Sequence, residues 1–471
     1  MTLGSRAESS RFSSRTGKQS GIRTRIREPH LVLACSAVVV LLAEYAAVER
    51  GSAAWILVGA VASLAAFVVA WRLQDRLRLA PLLVMSLAFE LAWIGLHLHL
   101  GVHSVDSSVL YRRWGNSLLD GHYPDAQYPP GAVLLFAIDA LLGGGPTRTA
   151  HAFVMIPFQL VTVAAVWALR TRWTPWFAAL VALWPMNAFS WEFRFDLVPT
   201  ALLALGLLFA FRERWLLSGA LLGLGAAVKW TPGLAMAALV VWLLADRRWR
   251  TAGAHLMGFV SVFALLHIPF LLWSPSETLH SYRYFSSQGL TGESLWYLLL
   301  APFGSASVSR HEFWLPADVP GWTNVATVIA QVLVLLALGF AAWQARASLR
   351  AGVAIAAMAP VVFLLVNRVF SPQYLVLMLA AWTIAGALLV ESRKEQLALG
   401  FAIMAATTAN ALVYPYTLQQ FGFWRLPSAT LFVISLATSV WLAVRAVQRS
   451  SARESRSAGA PARPLVPTEA P

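Results

Sequence analysis

Asp106 sits in the most polar stretch of an otherwise apolar chain, HSVDSSVLYRRWGNSLLDGHYPDAQYPPG at residues 103–131. An aspartate in such a loop can accept a proton from a hydroxyl once a bound substrate excludes water. Its plainer role is to cap a helical stretch over 107–119 by accepting backbone N–H bonds, and one carboxylate can do both. Tyr111 follows on that stretch, and Arg112 and Arg113 would face either a substrate or lipid headgroups. Gly121, Tyr123, Tyr128, Pro129 and Pro130 shape the rest of the loop. Tyrosine rings there suit sugar faces, although aromatics near an interface also serve as simple anchors.

Three further groups carry charge into apolar surroundings. The WEFRFD turn at 191–196 holds Glu192, Arg194 and Asp196, where a structural Arg194–Asp196 ion pair competes with a role in binding. Lys229 stands before Trp230 and Pro232, and an ammonium beside a helix break suits an anionic phosphate. Arg368 in NRVFSPQY at 367–374 has the same logic, with Gln373 and Tyr374 on the same turn. Glu44 and Glu90 lie inside apolar runs, where an ionisable group is costly. His103 precedes Asp106 by three residues, while His267, His280 and His311 border the long loop at 274–321 and read as surface histidines. No phosphate-binding glycine loop, dinucleotide fingerprint, zinc-protease motif or nucleophile elbow is present.

The elements that position these residues follow from composition. The chain has 471 residues, 58% hydrophobic and 12% charged, with a mean hydropathy of +0.63. Soluble domains hold roughly 45–50% apolar residues, so this is a polytopic membrane protein. Apolar runs separated by short charged or Pro/Gly breaks predict an all-α bundle of about 14 spans rather than a β-barrel. The net charge of +14 sits in tails and short turns, which assigns it to membrane orientation and not to nucleic acid. Cys35 is the single cysteine, which excludes an internal disulfide and a thiolate metal site. Lysine confined to positions 18, 229 and 394, amid many arginines, alanines and leucines, points to a GC-rich bacterial genome.

Charge parity sets the topology. If the apolar run 131–145, which contains Asp139, lies in the outer interface, the basic clusters at 170–172, 212–214, 247–250 and 393–394 all become cytoplasmic. The polar loops 101–149 and 274–321, the WEFRFD turn, the Lys229 break and the Arg368 turn then share the outer face. A basic, disordered cytoplasmic tail is expected at 1–29, too long for a convincing cleaved signal peptide. A single transmembrane domain is expected at 30–447, and a second disordered cytoplasmic tail at 448–471.

The order of these elements resembles the GT-C membrane glycosyltransferases, and among them glycosyltransferase family 87, the actinobacterial α-mannosyltransferase group. The resemblance rests on Asp106 and Tyr111, Gly121 and Tyr123, Tyr128 to Pro130, the FRFD turn, Lys229 with Pro232, and Ser371 to Tyr374. It implies a catalytic aspartate at Asp106 and a polyprenyl-phosphate sugar donor, such as polyprenyl-phosphate-mannose, met at the outer face of a bacterial plasma membrane. It implies a lipid or glycan acceptor and no cofactor. Related enzymes pair that aspartate with a second acid; here Ser107 and Ser108 follow it, which favours a metal-independent, inverting displacement. The competing class is a lipid-linked-sugar flippase or secondary transporter, which would place its polar groups near the membrane midplane.

Overall fold

The computed structural model describes residues 28–101, 106–143, 147–184, 194–284, 289–300, 302, 320–413 and 425–458. Every regular element among them is helical. The first part holds α1 (Pro29–Glu49), α2 (Ala54–Arg72), α3 (Leu79–His99), a π-turn (Asp106–Leu110), α4 (Tyr111–Leu119), α5 (Pro130–Leu142) and α6 (Thr147–Trp167). Next come α7 (Thr174–Leu183), α8 (Leu197–Phe211), α9 (Trp215–Val228), α10 (Pro232–Ala245), α11 (Trp249–Trp273), α12 (Pro275–Tyr284) and α13 (Leu295–Leu300). The last part holds α14 (Trp322–Gln344), α15 (Leu349–Leu365), α16 (Tyr374–Leu389), α17 (Arg393–Ala411) and α18 (Arg425–Ala458). His103, Glu192 and His311 lie outside the described residues.

Seven of these helices, α1, α2, α3, α6, α11, α14 and α18, are long and apolar enough to cross a bilayer. The other apolar helices are shorter, 10–17 residues, and α7, α8, α15 and α16 among them are buried along most of their length. Helix α16 is buried along its whole length, which is the place for a helix that is apolar all round. Helices α11 and α14 lie at the periphery, with only 11% and 17% of their apolar windows buried inside the protein. Their exposed leucines would form a large apolar patch in water, whereas hydrocarbon solvates them. The ionisable residues inside α1 and α3 have partners: His97 lies 3.8 Å from Glu44, and Ser86 donates to Glu90 at 3.0 Å.

The two ends of the bundle differ in kind. One end closes with tight basic turns, in which Arg170, Glu213 and Arg247 adopt φ of 53°, 56° and 57°. Hydrogen bonds stitch these turns together: Arg212 to the Ala168 carbonyl at 3.0 Å, Trp173 to Val390 at 2.9 Å, and Trp242 to Ala345 at 2.9 Å. The other end carries the π-turn, the loop before α5, the 194–196 turn and the breaks at 229 and 366–373. The basic clusters and the chemically unusual turns therefore separate onto opposite ends.

Helix α5 starts and finishes at the second end. Its first turn packs on the end of α9, and its Asp139 bonds to His151, near the start of α6. Gly131 makes the first contact possible, because a Cβ there would sit 2.6 Å from the Ala227 carbonyl oxygen. Replacing Gly131 by valine should destabilise the protein by about 1–3 kcal/mol through overpacking. A thermal melt in detergent checks this, and an unchanged midpoint would contradict the close approach.

Helix α18 continues past 447 to Ala458. The cause lies on other elements, since Arg449 pairs with Glu391 at 2.7 Å and Arg445 pairs with Glu395. These ion pairs hold the charged turns of α18 against the start of α17.

Candidate functional site

Two ion pairs form the centre of the polar end. The carboxylate of Asp106, first residue of the π-turn, pairs with the guanidinium of Arg194, and both side chains are mostly buried. Two residues on, Asp196 at the start of α8 receives a hydrogen bond from the Lys229 ammonium at 2.5 Å, with the two side chains 5% and 7% exposed. The Arg194–Asp196 pairing considered from the sequence is thus replaced by two longer-range pairs. The short 194–196 segment links them, so that it faces the π-turn with one residue and the α9–α10 break with the other.

Lys229 reaches this position because α9 stops at Val228 and Pro232 opens α10 as its first residue, leaving the lysine extended between them (φ −153°, ψ 123°). Aromatic rings enclose its ammonium: Tyr374 at 4.6 Å, Phe195 at 5.3 Å and Tyr128 at 6.0 Å to the ring centroids. Ring faces of this kind stabilise a cation that has lost most of its water. Burial first, and the Asp196 carboxylate second, push the Tyr128 hydroxyl upward, so it stays neutral and able to donate. Around this centre the second oxygen of Asp196 and the hydroxyls of Ser107, Thr200 and Thr231 are buried and lack hydrogen-bond partners among the described residues. Buried polar groups are nearly always satisfied, so such a set calls for a ligand or water.

Tyr111 is fully buried below the pairs, stacked on Phe136 of α5 with centroids 4.1 Å apart and planes 7° from parallel. Tyr128 packs edge-on against Phe195 at 4.7 Å. Asp106, Tyr111, Tyr128, Arg194, Asp196, Lys229 and Tyr374 thus gather as one cluster. The other candidates take different places. Arg112 and Arg113 occupy the exposed face of α4, opposite Tyr111, Trp114 and Gly115. Tyr123 packs on Phe270 and Trp273 at the end of α11. Arg368 is bonded to the Asn324 side chain, and Gln373 to Ser371.

Two residues of this region, Phe195 and His151, carry no signal in the sequence. Phe195 stands between two charged neighbours, and its ring meets Lys229 and Tyr128 only in the fold. Asp139 was visible as an acid in an apolar run, but nothing nearby in sequence named His151 as its partner, 2.7 Å away and equally buried.

Glu293, in the loop before α13, is fully buried, and neither of its oxygens has a hydrogen-bond partner among the described residues. Burial pushes its carboxyl well above the usual range. A raised folded value means that its contribution to stability is complete below the unfolded value of about 4.3 and is lost as pH rises toward the folded one. Glu293→Gln should therefore raise the melting temperature at pH 8 more than at pH 5. Equal shifts at the two pH values would contradict this.

Fold and site together define a polytopic helical membrane protein with a charged, aromatic-lined centre at one end of its bundle. A model of glycosyltransferase family 87 matches residues 126–372, more than half of the chain, and the chain belongs to that family. It is accordingly a membrane glycosyltransferase. The matched segment contains Tyr128, Arg194, Asp196, Lys229 and Arg368 and begins after Asp106. Nothing among curated proteins and nothing among solved structures matches the chain.

Proposed function

We propose that the protein transfers a hexose, with mannose the leading candidate, from a polyprenyl-phosphate donor to a lipid or glycan acceptor. The reaction would take place at the outer face of a bacterial plasma membrane, with both termini cytoplasmic. The observation that carries this reading is the linked arrangement Asp106–Arg194 and Asp196–Lys229, which places an acid and two cations at one end of a membrane glycosyltransferase. Positive charge in the opposite turns favours a cytoplasmic location for that other end.

Transfer is a single displacement. The acceptor oxygen attacks the anomeric carbon, the bond from that carbon to the lipid phosphate oxygen breaks, and the electron pair leaves with the phosphate. Asp106 takes the acceptor proton through the oxygen that Arg194 does not hold, and the anomeric configuration inverts. Lys229 donates one hydrogen bond to Asp196, and its ammonium has two more protons for the departing phosphate. Arg368 is the second candidate contact for that phosphate. Tyr128 and Tyr374 offer ring faces and hydroxyls to the sugar, and Arg112 and Arg113 meet headgroups or the acceptor at the membrane surface. Because cations oppose the leaving group directly, the reaction should proceed without a metal, and transfer should survive a chelator.

The test is to incubate membranes containing the protein with labelled polyprenyl-phosphate-mannose and lipid extracts, then identify labelled products. A new mannosylated lipid or glycan, absent from control membranes, supports the reading. Transfer only from a different polyprenyl-phosphate sugar would keep the reaction and overturn mannose.

A further inference from the structure

The buried pair of Asp139 and His151 has no part in this scheme, yet both side chains are fully buried and joined at 2.7 Å. Asp139 Oδ1 and His151 Nε2 lack hydrogen-bond partners among the described residues. Apolar replacements for a buried ionisable pair are often neutral or stabilising, so stability does not explain these two residues. Their location suggests another role. Phe136 lies three residues before Asp139, hence on the same face of α5, and stacks on the Tyr111 ring at 4.1 Å. His151 approaches the same ring from α6 with centroids 5.1 Å apart. Tyr111 is therefore held between a ring on α5 and a ring on α6, and the Asp139–His151 bond ties those two walls together.

Tyr111 is also the residue into which the π-turn of Asp106 runs, and α6 packs directly on that turn. A shift of α5 against α6 would open the slot for Tyr111 and move the turn. We propose that Asp139 and His151 are a positioning pair that fixes the seat of Tyr111 and thereby the placement of Asp106 beside Arg194. The catalytic consequence rests on the reading of Asp106 as the base, whereas the structural consequence does not.

The test compares wild type, the apolar double variant Asp139→Leu with His151→Phe, and the conservative Asp139→Asn. Hydrogen exchange and steady-state transfer are measured on the full-length protein in detergent. Exchange over 106–111 should quicken by about tenfold in the double variant, while α8 and α16 keep their protection. Its kcat should fall about 10²-fold with KM for the donor little changed, as expected for a misplaced reacting group. Asp139→Asn should restore most of both, because an amide oxygen still accepts from His151 Nδ1. Unchanged exchange over 106–111 in the double variant overturns the proposal, as does faster exchange spread evenly over the bundle. If the double variant does not fold, Asp139→Ala, which removes the bond without adding bulk, provides the same exchange comparison. A wild-type protein that transfers no sugar would sink the functional reading, and the exchange data would still decide the fate of the pair.

Discussion

Asp106→Asn leaves the protein folded in the membrane and lowers sugar transfer by about 10²–10⁴-fold, the range that a general base contributes. The amide keeps the shape of the carboxylate and can still accept a hydrogen bond from Arg194, the partner of Asp106 in the folded protein. It cannot accept the proton of the acceptor hydroxyl. The loss should appear in kcat, with donor KM little affected, since Lys229 and its aromatic surround remain intact. The variant also leaves the Arg194 charge without its counter-ion, so a small drop in melting temperature is expected beside the large loss of activity. Measured together, transfer and thermal midpoint separate the two effects. Full transfer by Asp106→Asn would remove Asp106 from the reaction.

Asp196→Leu produces the largest loss of stability, about 3–5 kcal/mol, because it strands a buried ammonium without its counter-ion. The Lys229 and Asp196 side chains are 7% and 5% exposed, so solvent screens this pair little. The rings of Tyr374, Phe195 and Tyr128 soften the penalty without replacing a full negative charge. Adding Lys229→Met to Asp196→Leu should regain most of the lost stability, since both charges then disappear from the interior. Transfer should nonetheless stay abolished in the double variant, because the phosphate has lost its cation. Melting curves of the two variants and an activity assay of the double one read both halves. A stable Asp196→Leu protein contradicts the buried pair, and an active double variant contradicts the role of Lys229.

The helical character of the chain was legible because apolar runs are long and their breaks carry Pro, Gly and charge. Parity of the basic turns groups them apart from the polar loops, and the bonds from Arg212, Trp173 and Trp242 join several of those turns at one end. It assigned α5 to the polar end, because a span at that place would have put the later basic turns on the wrong side. The pairing of charges was not legible. Arg194 and Asp196 are two residues apart, a spacing that does not turn side chains toward each other in a helical start, and their partners come from the π-turn and the α9–α10 break. Which distant element supplies a counter-ion depends on helix packing that a single sequence does not display. The same reason hid His151 opposite Asp139, and hid Glu391 and Glu395, just before and at the start of α17, as partners of Arg449 and Arg445 on α18. Tyr123 and Arg368 stand out by residue type alone, and the sequence does not display that the rings of α11 and the amide of Asn324 are their neighbours in the fold.

Purified protein in proteoliposomes, supplied with labelled polyprenyl-phosphate-mannose and a lipid acceptor extract, distinguishes transfer from transport in one measurement. A covalently mannosylated product should form with wild type and be nearly absent with Asp106→Asn. Movement of the intact labelled donor between leaflets, with no glycosylated product, would contradict transfer.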